Sequence, residues 1–140
     1  MGLDDGELAV VVERVRGVDG TPWAHTTSWV SADSAPDLEK VDLRRDSLYR
    51  VLRETYGLEL ARADRSIEAV AATEEMAEYL QLAPGVPLLR ITSILHGTDG
   101  RPVETFVAHH PGDRSRFDVS VGPDAASAQV QMSESPAAAS

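Results

Sequence analysis

At 140 residues, with 42% hydrophobic and 26% charged side chains, the chain is one domain with enough apolar material for a core. The absence of cysteine excludes disulfides, thiolate catalysis and zinc–sulfur sites, and fits a reducing cytoplasm. A formal net charge of −10 argues against direct binding of nucleic acid, and the lack of a signal-peptide pattern or of any apolar run near ~18 residues excludes a membrane-spanning helix.

The chain opens on MGLDDGELAVVVERVRGVDGTPWAHTTSWV, and LQLAPGVPLLRITSILHGTDGRPVETFVAHH at Leu80–His110 repeats its events. Leu3 matches Leu82, Gly6 matches Gly85, and Asp19-Gly20-Thr21-Pro22 matches Asp99-Gly100-Arg101-Pro102. The offset is 79 residues before the turn and 80 after it, so one inserted residue separates the copies. Each copy reads as a helix end, a strand, a DG-x-P turn and a returning strand. Gly supplies a positive φ in the turn, and Pro begins the return strand. By this match Met1-Gly2-Leu3 ends a helix whose body lies before the chain, which therefore starts inside a structural unit.

Glu7–Arg16 is rich in β-branched residues, and Trp23–Ser31 returns with Trp23, His25, Thr27 and Trp29 expected on one face. Ser31–Asp46 reads as a polar connector. Ser47–Tyr56 is the clearest helix, with Leu48, Val51, Leu52 and Tyr56 on one stripe, Asp46 or Ser47 as cap and Gly57 at the C-terminal left-handed position. Leu58–Ala72 reads mostly as a strand, with Ile67, Ala69 and Ala71 alternating against Glu68 and Val70. Thr73 caps a second helix with Glu74 and Glu75 in its first turn, ended by Pro84 and Gly85. Phe117, Val119 and Val121 alternate in a last strand, and residues 122–140 read as a disordered tail. The order ββ-α-β-α-ββ-β predicts an internally duplicated α+β domain over residues 1–121, mainly antiparallel, with the helices on one face of the sheet.

The run DSLYRVLRETYGLEL at Asp46–Leu60, the later run PGVPLLRI…DGRPVETFVAHHPGDRSRF at Pro84–Phe117, and ERVRGVDGTPW in the first hairpin together resemble the UTRA domain. That domain is the effector-binding half of GntR-type bacterial transcription regulators of the HutC subfamily. The resemblance runs from Met1 to about Val121. It implies a chorismate-lyase-like fold, a small-molecule site between the two halves, and homodimerisation. It also implies that DNA is bound only through an N-terminal winged helix-turn-helix domain missing from this chain.

Arg14 and Arg16 stand two apart in a strand and so share a face. Their counterparts in the second copy are Ser93 and Leu95, so two guanidiniums occupy a mostly apolar face and need an anionic partner. That partner is a ligand phosphate or carboxylate, or else one or both arginines pair with local acids such as Glu13 or Asp19 or reach solvent. The resemblance matches both to the family's anion-binding arginines. Ser47 and Tyr49 open the first helix, where free N–H groups favour an anion, although from the sequence alone a plain cap and a packing ring explain them better. The resemblance places both in the effector pocket. Glu104 and His110 share a strand face with Phe106 and Ala108, and a carboxylate there calls for a hydroxyl, amine or arginine partner. Two positions depart from the family pattern: Thr26 stands where Glu is common, and His110 where Tyr is common. The second change would make binding more sensitive to pH.

Catalysis is not supported by the residues. There is no nucleophile–base pair or glycine-rich phosphate loop, and His25, His96, His109 and His110 show no metal-binding spacing, so neither metal nor cofactor is expected. The expected function is a cytoplasmic domain sensing a small anionic metabolite. The alternatives are a ligand-free dimerisation module of a truncated regulator and a chorismate-lyase-like enzyme.

Overall fold

The computed structural model describes residues 8–43, 47–123 and 129–134. The elements in chain order are β1 (Ala9–Val18), β2 (Thr21–Ser31), a 3-10 turn (Leu38–Lys40), α1 (Leu48–Glu54), β3 (Leu60–Ala71), α2 (Glu74–Leu80), β4 (Pro87–Gly97), β5 (Pro102–Pro111), β6 (Ser115–Ser120) and β7 (Gln129–Glu134). Five strands form one mostly antiparallel sheet in the order β1-β2-β5-β4-β3, and β6 pairs with β7 in a second. The fold is α+β. The expected N-terminal helix end at Met1–Leu3, Gly6 of the repeat and the Asp46 cap all lie outside the described residues.

The two hairpin turns share a motif but differ in shape. Asp19 and Gly20 both have positive φ (51° and 79°), the signature of a two-residue turn whose twist suits the flanking strands. In the second copy only Gly100 has positive φ (83°), and the loop is longer, closed by the Gly100 N–H on Gly97 O at 3.0 Å. There the Asp99 carboxylate accepts from the Arg101 N–H at 3.0 Å, the local bond that makes Asp a turn residue.

Both helices are capped as their sequences direct. The Ser47 hydroxyl accepts from the Arg50 N–H at 3.1 Å, and Thr73 accepts from the Met76 N–H at 3.2 Å. α1 buries Leu48, Val51 and Leu52, and the chain leaves it through Gly57 at φ 65°. α2 stops earlier than expected. Gln81 adopts the left-handed conformation (φ 55°) and its N–H closes on Ala77 and Glu78, so Pro84 and Gly85 shape the turn that follows.

The chain divides into two compact units. The first holds the chain through Arg14, Thr26–Ile67 and Ile91–Ala108, and its core joins α1 to Val30, Leu38 and Val103, with Val10 and Val12 against it. The second holds Val15–His25, Glu68–Arg90 and His109 onward, and its core is Ala72, Ala77, Leu80 and Leu88, flanked by Val70 and Val86.

Several expectations need correction. Trp23 and Trp29 are half-buried, whereas Ala24, His25, Ser28 and Val30 are buried, so the simple alternation of β2 shifts near His25–Ser28. That shift falls at His25–Thr26, where the strand passes from the second unit's stretch to the first's. In β3 the residues packed on a core are Leu60 and Val70, while Ile67, Ala69 and Ala71 are exposed. The connector after β2 is not merely polar: Ala35 and Leu38 are fully buried in it, and the Tyr56 hydroxyl donates to Pro36 O at 2.9 Å. Finally, the stretch read as a disordered tail contains β7, paired with β6 from Ser115↔Glu134 to Ser120↔Gln129. The alternating pattern Gln129-Val130-Gln131-Met132-Ser133 is compatible with a strand, and β6 offers it a backbone ladder that composition cannot reveal. Residues 124–128 and 135–140 lie outside the described part.

Candidate functional site

The first unit carries a polar row across all five strands of its sheet. Arg14 comes from β1, Ser28 from β2, Glu104 and Phe106 from β5, Ser93 from β4 and Arg65 from β3, which follows the spatial order of the strands. Glu104 is its centre and is only 6% exposed. Burial pushes its carboxyl above the usual range, while a hydrogen bond from Ser28 and the charges of Arg65 and Arg14 act in the other direction. Arg65 donates from Nε to Ser93 Oγ at 3.3 Å and lies 5.7 Å from the centre of the Phe106 ring. Ser28 and Ser93 are both buried, at 5% and 1% exposure.

Thus the chain brings together two of the six residues singled out from sequence, Arg14 and Glu104. Ser47 acts as the cap of α1, and Tyr49 lies on its exposed surface with the Arg53 guanidinium 5.8 Å from its ring. α1 has only 7 residues, too short a run for its N-terminus to carry an anion site alone. Arg65, Ser28 and Ser93 were not singled out as site residues. The repeat held a signal for one of them, because Ser93 is the counterpart of Arg14 in the second copy. No local pattern marked Arg65, which sits among Arg62, Asp64 and Ser66 on a strand that reads as solvated.

Arg16 and His110 belong to the second unit. Arg16 is exposed, 5.5 Å from the Trp23 ring centre, and Trp23 stands 5.7 Å from the His110 ring. Phe117 meets His110 edge-on at 6.4 Å. Burial lowers His110 to about 4, against a backbone hydrogen bond with Trp23 that favours its charged form. His109 points to other neighbours. It is lowered by burial and by the charges of Arg90 and His25, and His25 stacks on Tyr79 at 4.5 Å. Among the described residues no group of three or more His, Asp or Glu side chains is placed to hold a metal ion.

Two cavities lie elsewhere. One of about 460 Å³ in the first unit is lined by Ser31, Asp33, Glu59, Asp99 and Arg101 among others, and one of about 610 Å³ in the second mainly by apolar residues such as Leu82, Val86 and Leu88. Neither is lined by any of the six residues singled out from sequence. No helix among the described residues is long and apolar enough to cross a membrane.

A family model for the UTRA domain matches residues 1–116. The chain belongs to the UTRA domain family. A transcriptional regulator of the HTH type from Mycobacterium tuberculosis is 28% identical over 118 residues, which cover 82% of this chain and 44% of that protein. The HTH-type regulator YydK of Bacillus subtilis is 31% identical over 117 residues, 84% of this chain and 48% of the relative. The crystal structure of YydK superposes with a TM-score of 0.75 over 84% of this UTRA domain and 51% of that chain. The ligand-binding domain of a GntR-family regulator from Bordetella bronchiseptica gives a TM-score of 0.75 at 27% identity, covering 84% of this chain and 75% of that one. The UTRA domain spans about half the length of the curated relatives, at 44% and 48%. Those relatives are named as transcriptional regulators, not enzymes.

Proposed function

We propose that this UTRA domain is the effector-sensing part of a cytoplasmic GntR/HutC-type transcription regulator. Its effector is a small anionic metabolite, it pairs as a homodimer, and operator DNA is held by a separate helix-turn-helix domain. The observation carrying this reading is the buried Glu104 with Arg14 and Arg65 acting on it, a charged row inside a sheet whose relatives are ligand-binding domains of regulators. Buried charge of this kind stabilises a fold poorly unless it is paired, and a guanidinium is shaped to meet a phosphate or carboxylate. Effector binding then biases a two-state element, and the coupling to DNA affinity equals the difference in effector affinity between the two states.

The test is a thermal-shift and calorimetric panel of phosphate and carboxylate metabolites. Saturable binding without turnover is expected, and at roughly a hundredfold excess over Kd the domain gains about 2.7 kcal/mol. Arg14→Ala should weaken binding by roughly tenfold or more, since a charge-assisted hydrogen bond is worth about 1.5–3 kcal/mol. Turnover of any ligand, or unchanged affinity in Arg14→Ala and Arg16→Ala alike, would remove this reading.

A further inference from the structure

We propose that Arg65 supplies the oxyanion fork of the site, a role that rests on the effector-binding reading and refines it. Three observations meet on this residue. Its Nε is committed to Ser93 Oγ and its Cζ lies 5.7 Å from the centre of the Phe106 ring, so two contacts restrain an otherwise exposed side chain. Its other two nitrogens, Nη1 and Nη2, make no hydrogen bond or ion pair among the described residues. By contrast Arg90 on the neighbouring strand is spent on Glu68 at 2.7 Å, and Arg62 on Asp64 at 3.2 Å.

A restrained guanidinium with an open pair of donors suits a ligand that offers two oxygens, a carboxylate or a phosphate. Holding the plane in advance reduces the rotamer freedom lost on binding. Glu104 does not forbid an anion there. Its carboxyl is pushed toward the neutral form by burial, and the charge of Arg65 acts on it when it is ionised. The buried hydroxyls of Ser28 and Ser93 lie in the same row. The ligand class that follows is a small oxyanion whose neighbouring atoms carry hydrogen-bonding groups able to meet Glu104.

The test titrates the whole chain with inorganic phosphate and, separately, acetate at fixed ionic strength, reading amide shifts and heat. Wild type should saturate with at least one of them. Arg65→Ala should weaken that binding by roughly tenfold. Arg65→Lys, which keeps the charge and loses the fork, should weaken it nearly as much. Arg62→Ala removes the same charge from the same strand and should bind as wild type does. Circular dichroism should report all three variants as folded. If Arg65→Ala binds like wild type while Arg14→Ala does not, the fork is overturned and the effector site stands. If folded wild type binds neither anion, the anionic-effector reading fails together with the fork. Equal weakening by Arg62→Ala would reduce the effect to net charge and overturn the fork.

Discussion

Two buried titratable residues set opposite pH responses. His110 is lowered to about 4, below the value near 6.5 expected of an unfolded chain. Between those values the unfolded state holds more protons, so stability falls as pH drops through that window. The loss from His110 is bounded at about 3–4 kcal/mol, from roughly 1.4 kcal/mol per pH unit. His109, also lowered, adds to it in the same direction. Glu104 is raised, so its contribution is present at low pH and is lost as pH rises through its folded value, which offsets part of the acid loss. Urea denaturation at pH 7 and pH 5 should show wild type losing more stability on acidification than His110→Phe does. Equal losses would locate the titration in another group. Sequence reading had already picked Glu104 and His110 from one strand face. It could not show that one lies in the row with Arg14 and the other against Trp23, because that depends on which strands become neighbours.

The short elements depend on their ends. α1 and α2 have 7 residues each, so neither is stable by propensity, and both rely on caps and tertiary packing. Ser47→Ala should cost about 1 kcal/mol by losing the acceptor for the Arg50 N–H, seen as a lower urea midpoint at unchanged slope. If Ser47 instead contacts the effector, the same variant will also weaken anion binding, which the thermal-shift panel separates from the cap effect. The β6–β7 pair is a different case. A two-stranded ribbon is marginal alone, and Val119 on β6 is 55% exposed. Ending the chain at Gly122 should therefore shift Tm by only a few degrees while amide protection in Phe117–Ser120 collapses. A larger Tm drop would make β7 part of the cooperative core.

At the scale of the molecule, charge decides what the domain can hold. With a net charge of −10, this chain by itself should not bind duplex DNA with sequence specificity. A mobility-shift assay showing specific, salt-sensitive binding would overturn the assignment to effector sensing. The division into two units also explains why the duplication was legible yet imperfect. Each hairpin strand has residues in both units, but its core contacts fall in one: Val10, Val12, Val30 and Val103 pack in the first core and Leu88 in the second. The periodicity of two holds in segments and, in β2, shifts where the strand passes between units.

The sequence by itself determined the order of strands and α-helices through β6, both helix caps, the turns at Asp19–Gly20 and Asp99–Gly100, and the family, because these rest on local chemistry and on motifs in a fixed order. Tertiary structure alone decided that Leu38 is core, that Gln81 rather than Pro84 ends α2, and that β7 finds a partner. It also decided the membership of the charged row. Arg14, Arg65, Ser93 and Glu104 are scattered over some ninety positions, and no local pattern joins them. They meet because strand pairing brings β1, β2, β5, β4 and β3 side by side, and burial then turns one carboxylate among two arginines into a place where charge must be answered.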